Sequence, residues 1–98
     1  MRVDLAKTAV EDLENIIRYY ESQSVPKVGQ RLLAEIIAKI ERLKHYPDSG
    51  RVAPEFGVEF IREIIFSPFR IVYQRKSERI WVIRVWRSER SLKDFPPP

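Results

Sequence analysis

Phe60-Ile61-Arg62-Glu63-Ile64-Ile65-Phe66, Phe69-Arg70-Ile71-Val72-Tyr73-Gln74 and Ile80-Trp81-Val82-Ile83-Arg84-Val85-Trp86 are three runs dominated by β-branched and aromatic side chains. Ser67-Pro68 separates the first two, and Lys76-Ser77-Glu78-Arg79 separates the last two. Strand-forming runs joined by such short polar or proline breaks predict an antiparallel meander. Side chains alternate across a strand, so Trp81, Ile83 and Val85 share one face of the third run. Ile80, Val82, Arg84 and Trp86 share the other. The first set is the more apolar and is expected to be the covered face. Arg84 and Trp86 then point to the opposite face, beside Arg70 or Arg62.

Upstream lies what would cover such a sheet. Arg2-Val3-Asp4-Leu5 alternates and suits a short strand. Thr8 and Glu11 stand at capping-box spacing. Ala9, Leu13, Ile16, Ile17 and Tyr20 then recur at three- and four-residue intervals, which predicts an amphipathic helix of about four turns. Ser22 to Pro26 breaks it, with Ser24 a candidate cap and Pro26 acceptable in a first turn. A second apolar stripe follows through Val28, Leu32, Leu33, Ile36, Ile37, Ile40 and Leu43, and Pro47 stops it near His45 and Tyr46. Pro47 to Gly57 reads as a loop. The expected architecture is α+β, in the order β-α-α-β-β-β, with a helical hairpin packed on one face of a small antiparallel sheet. Residues 1–92 form a single domain in this reading, and the Pro-rich tail 93–98 is expected to fray.

A chain of 98 residues with 44% hydrophobic side chains has room for one core. It has no cysteine and one histidine, which excludes disulfides, thiolate zinc sites and imidazole clusters. Its apolar runs are too short for a membrane helix, and Asp4, Lys7, Glu11 and Asp12 interrupt any leader-like start. A cytoplasmic protein without membrane contact is expected, and no cofactor is called for. The first fifty residues balance their charges, so the net surplus of +4 lies in residues 51–98, mostly as arginine. Arginine's planar fork suits carboxylates and phosphates. That surplus reads equally as an anion-binding surface or as a solvated sheet face with cross-strand ion pairs.

Gly29, Gly50 and Gly57 are too dispersed for a phosphate loop, and nothing makes a credible Ser-His-Asp set. His45 falls at a helix C-terminus, where the dipole favours an imidazole. Glu11, Asp12 and Glu14 read as solvated charges at a helix start. Gly50 is read as a turn residue free to take positive φ. Tyr73, on the face of Ile71, is read as core, and Glu63 as the partner of a neighbouring arginine. The concentrated signal is Arg84-Val85-Trp86-Arg87-Ser88-Glu89-Arg90, which combines cations with an aromatic platform. Ile16, Tyr20, Leu33 and Ile37 flank the core stripes. They either complete a broad core or offer an apolar margin to a partner helix.

Five segments, in order, resemble the ParE/RelE superfamily of toxins, and its ParE branch most. Ala9-Val10-Glu11-Asp12-Leu13-Glu14-Asn15-Ile16 resembles the opening helix, and Tyr46-Pro47-Asp48-Ser49-Gly50-Arg51 the Pro-x-x-Gly-Arg turn. Ile61-Arg62-Glu63-Ile64 and Phe69-Arg70-Ile71-Val72-Tyr73 resemble two of its strands, and Val85-Trp86-Arg87-Ser88-Glu89-Arg90 its exit. The resemblance implies a toxin of a type II toxin–antitoxin system that inhibits DNA gyrase and is neutralised by a ParD-like or RelB-like antitoxin. Arg62, Arg70, Arg84, Trp86, Arg87 and Arg90 would face the target, and Ile16, Tyr20, Leu33 and Ile37 the antitoxin. RelE-like relatives instead cut mRNA on the ribosome, a reading that would rest on Arg62, Arg87, Glu89 and Arg90. Arg87 stands where many relatives carry histidine. Asp94 or Phe95 stands where a nuclease would want tyrosine, so the acid–base pair is incomplete. Direct nucleic-acid contact belongs only to the nuclease reading or to a gyrase–DNA complex. A third reading is an inactive antitoxin-binding module.

Overall fold

The computed structural model describes residues 1–87. Strand β1 (Arg2–Leu5) leads into α1 (Lys7–Ser22) and α2 (Pro26–Arg42). A two-residue strand β2 (Arg51–Val52) then precedes the meander β3 (Ile61–Phe66), β4 (Phe69–Arg75) and β5 (Arg79–Arg87). The sheet order is β1-β5-β4-β3-β2. β1 runs parallel to β5, with Arg2 opposite Arg79 and Leu5 opposite Val82, so the sheet is mixed rather than wholly antiparallel. The parallel pairing follows from the helical hairpin, which carries the chain over one face before it re-enters the sheet.

Ala9, Leu13, Ile16 and Tyr20 on α1 and Ile36 and Ile40 on α2 are buried against Phe69, Ile71, Tyr73, Ile80, Val82 and Val85. Val28, Leu32, Leu33 and Ile37 pack at the margin of this core. Gly29 lets the two helices close on each other, since a Cβ there would lie 2.9 Å from the Tyr20 Cβ. A smaller core of Ala53, Ile61 and Val72, with Val58, Ile83 and Trp86 beside it, occupies the sheet's other face. Residues 53–60 form a strap over it.

Local expectations change in four places. The Thr8–Glu11 capping box does not form: Ala6 is the N-cap, and the Thr8 hydroxyl donates to the Ile83 carbonyl at 2.6 Å. A contact to the sheet has taken the side chain that a local cap would have used. Ser24 adopts φ 62° and Val25 caps α2 instead, with Pro26 in the first turn. α2 ends at Arg42, a few residues before the expected stop. The faces of β5 are the largest correction. Tyr73 pairs with Val82 and Val72 with Arg84, which leaves Ile83 unopposed in a β-bulge. Before the bulge, Ile80 and Val82 face the helices, and after it Val85 does. Ile83 therefore lies on the strap side rather than the helix side. One extra residue reverses the alternation.

Tyr73 is fully buried, and its hydroxyl ties down the loop after α2. It donates to the Pro47 carbonyl at 2.8 Å and accepts from the Gly50 N–H at 3.0 Å. Burial pushes its pKa above the ordinary tyrosine value, against the opposing pull of the Gly50 N–H. Tyr73→Phe should cost about 1–2 kcal/mol, because the Gly50 N–H loses its acceptor. Denaturant melts would read the loss, and an unchanged midpoint would refute it. The raised pKa also sets a sign. Its contribution is complete below the unfolded tyrosine value and is lost as pH rises through the folded one.

Candidate functional site

The end of β5 forms one wall of a groove against α1. Asp12, Asn15, Ile16 and Tyr19 line the helix side, and Arg84, Val85, Trp86 and Arg87 the strand side, around about 390 Å³. Arg84 is held bidentately by Asp12, with Nε to Oδ2 at 2.8 Å and Nη2 to Oδ1 at 2.9 Å. That hydrogen bonding raises the Arg84 pKa against the opposing effect of burial. The same carboxylate accepts the Val85 N–H at 2.8 Å. Asp12 is therefore no solvated helix-start charge; its side chain is only 12% exposed. The Arg87 guanidinium lies 4.3 Å from the Tyr19 ring centroid and 5.2 Å from that of Tyr20. A cation over aromatic faces beside an apolar floor fits a ligand that is part acidic and part apolar.

The strap face is organised around Arg70. Its Nε donates to Glu63 at 2.8 Å and its Nη2 to Glu55 at 2.7 Å, with further short contacts to both carboxylates. Arg51 Nε reaches the second Glu63 oxygen at 2.6 Å. Arg70 is 4% exposed, so the expectation that it meets a target is corrected: it is a buried clamp that fastens the strap. Phe56 stacks on Trp86 with centroids 6.4 Å apart, and the guanidinium carbons of Arg70 and Arg84 each lie 5.5 Å from the Trp86 ring. Trp86 does stand beside Arg70, as its strand position implied.

The remaining residues scatter. Arg62 donates to the Gly50 carbonyl at 2.9 Å. It sits opposite Tyr73, whereas Arg87 sits opposite Phe69, four residues away along β4. That separation is about 13 Å along the strand, so the structure does not bring Arg62 and Arg87 together. Ile16 and Tyr20 are buried in the core, so of the two readings offered for them they complete the core and are not the margin that would meet an antitoxin; Leu33 and Ile37 stay half-buried. Glu89, Arg90 and the tail 93–98 lie outside the described residues. Tyr19 is 43% exposed on the groove, and sequence reasoning missed it. Its position beside Tyr20, off the core stripe, was the available signal. Among the described residues no cluster of His, Asp and Glu could hold a metal, and no helix is long and apolar enough to cross a membrane.

Glu55 supplies a pH-dependent latch. The Arg70 hydrogen bond holds its pKa below the ordinary value of 4.5, against a smaller opposing effect of burial. A depressed carboxylate stabilises above its unfolded pKa and loses that contribution as pH falls through the folded one. The strap should therefore loosen only once pH falls past the ordinary carboxylate range and through the depressed Glu55 value. In a Trp81→Phe background the Trp86 emission should change as pH falls through that value, and Glu55→Gln should show the loosened spectrum at neutral pH. Identical acid titrations for the two would refute the latch.

The model of the family described as "ParE toxin of type II toxin-antitoxin system, parDE" matches residues 3–92. The fold is also that of a solved structure titled "Chromosomal ParDE TA system from P. aeruginosa", with a TM-score of 0.77 and 22% identity. That match covers 91% of this chain and 97% of the other. No curated sequence matches. With nearly its whole length inside the family model, this chain belongs to the ParE toxins of type II toxin–antitoxin systems.

Proposed function

We propose that this toxin inhibits DNA gyrase by binding, presenting the β5 wall of Arg84, Trp86 and Arg87, and that a ParD-like antitoxin neutralises it. The supporting observation is the groove itself. Two arginines and two aromatic rings, Tyr19 and Trp86, converge where β5 passes α1, a composition suited to a protein surface rather than to proton transfer. The separation of Arg62 from Arg87 leaves the nuclease reading without an assembled site among the described residues. The paired naming of the P. aeruginosa system supports a ParD-like partner here. Leu33 and Ile37, still half-buried, together with Tyr19, are the apolar positions such a partner would meet. Gyrase as target places the protein in the cytoplasm.

The test is plasmid supercoiling by purified gyrase with and without the chain. Lost supercoiling with trapped cleaved DNA is the expected result. Joint Arg84→Ala and Arg87→Ala should weaken it by at least about thirty-fold, as for paired hot-spot residues. Unaffected supercoiling at high excess would overturn the gyrase reading, and ribosome-dependent mRNA cleavage would then support the nuclease one.

A further inference from the structure

We propose that Asp12, with Thr8 one turn before it, is the positioning residue that sets the register of the target-facing wall, an inference resting on the role proposed above for Arg84, Trp86 and Arg87. β1 stops at Leu5 opposite Val82, and the Ala6 N–H donates to the Val82 carbonyl at 2.8 Å. Beyond that point the outer edge of β5 runs beside a helix instead of a strand. A helix has no backbone groups to offer sideways, so the edge must be met by side chains. Thr8 and Asp12 stand four residues apart on one face of α1 and take up this task. Thr8 Oγ1 donates to the Ile83 carbonyl at 2.6 Å, and Asp12 Oδ2 accepts the Val85 N–H at 2.8 Å. They clasp the strand on both sides of Arg84, at the β-bulge.

The bulge is where the wall's chemistry is decided. A strand shifted by one residue sends every side chain to the other face. With the observed bulge, Val85 enters the core, Trp86 reaches the strap face and Arg87 lies over Tyr19. Without it, Trp86 and Arg87 would exchange faces. Asp12 also fixes the Arg84 fork through both carboxylate oxygens, so one side chain sets the backbone register and aims a guanidinium. An asparagine keeps one oxygen for the Val85 N–H but cannot hold the fork as a charged, two-oxygen acceptor.

Growth arrest on induction without antitoxin tests this, with toxin amounts measured, because it reads toxin activity whichever enzyme is the target. Asp12→Asn should keep a wild-type melting profile yet raise the toxin level needed for arrest by about tenfold or more. Added to Arg84→Ala, it should cost nothing further, a non-additivity that a purely structural role would not produce. Glu14→Gln, on the exposed face of α1, removes the same charge and should leave arrest unchanged. If Arg84→Ala and Arg87→Ala both stay fully toxic, the wall reading fails and takes this inference with it. If those variants lose toxicity while Asp12→Asn keeps it, or if its loss tracks a fall in melting temperature, the wall stands and the positioning role is overturned.

Discussion

Replacing Glu63 with alanine is expected to destabilise the fold by about 3–5 kcal/mol, the range for breaking a buried ion pair by removing one partner. The Glu63 side chain has no solvent exposure, and its two oxygens serve Arg70 and Arg51. Arg70 sits at 4% exposure, so its charge cannot recover water when the carboxylate is lost. Glu55 still holds one edge of the fork, which places the expected loss toward the lower end. Glu63→Gln should cost less, because a neutral acceptor remains. Chemical denaturation reads both, and wild-type behaviour of the alanine variant would mean that the cluster does not hold the strap.

Gly50→Ala should cost about 3 kcal/mol, combining overpacking with a disturbed hydrogen-bond knot. The reason is not the backbone angle that the turn first suggested. Gly57 is the glycine with positive φ, whereas Gly50 is buried where a Cβ would meet the Tyr73 hydroxyl at 2.7 Å and the Glu63 carbonyl at 2.8 Å. Neither neighbour yields easily, since the ring is wholly enclosed and the carbonyl belongs to β3. The same glycine donates its N–H to Tyr73 and offers its carbonyl to Arg62. Tyr73→Phe in the Gly50→Ala background should therefore cost less than it does alone. Strict additivity of the two would argue against a shared knot.

The helices and the meander were legible because their signals are local: spacing along α1 and α2, and β-branched runs between breaks. Tyr73 as core was also legible, since it shares a strand face with Ile71, and so was Glu63 as the partner of a neighbouring arginine. What escaped notice depends on contacts distant in sequence. Thr8 and Glu11 have the spacing of a cap, but a carbonyl on β5 claims Thr8. Asp12 resembles any solvated acid until β5 is laid beside it. The bulge at Ile83 leaves no trace in composition, so strict alternation assigned Trp81 and Ile83 to the wrong side. Arg70 was misjudged for the same reason: its partners, Glu55 and Glu63, arrive from two other segments.

The neighbour relation between β1 and β5 has a consequence for synthesis. Strand β1 must wait for β5 before it finds its partner, and β5 joins β1 to the rest of the sheet. Pairings this distant along the chain form late and slowly. A ribosome that has translated only through β3 has therefore not yet closed the sheet, and the proposed target-facing wall of Arg84, Trp86 and Arg87 awaits β5. Products truncated before β5 would lack both that closure and the surface on which the proposed inhibition depends.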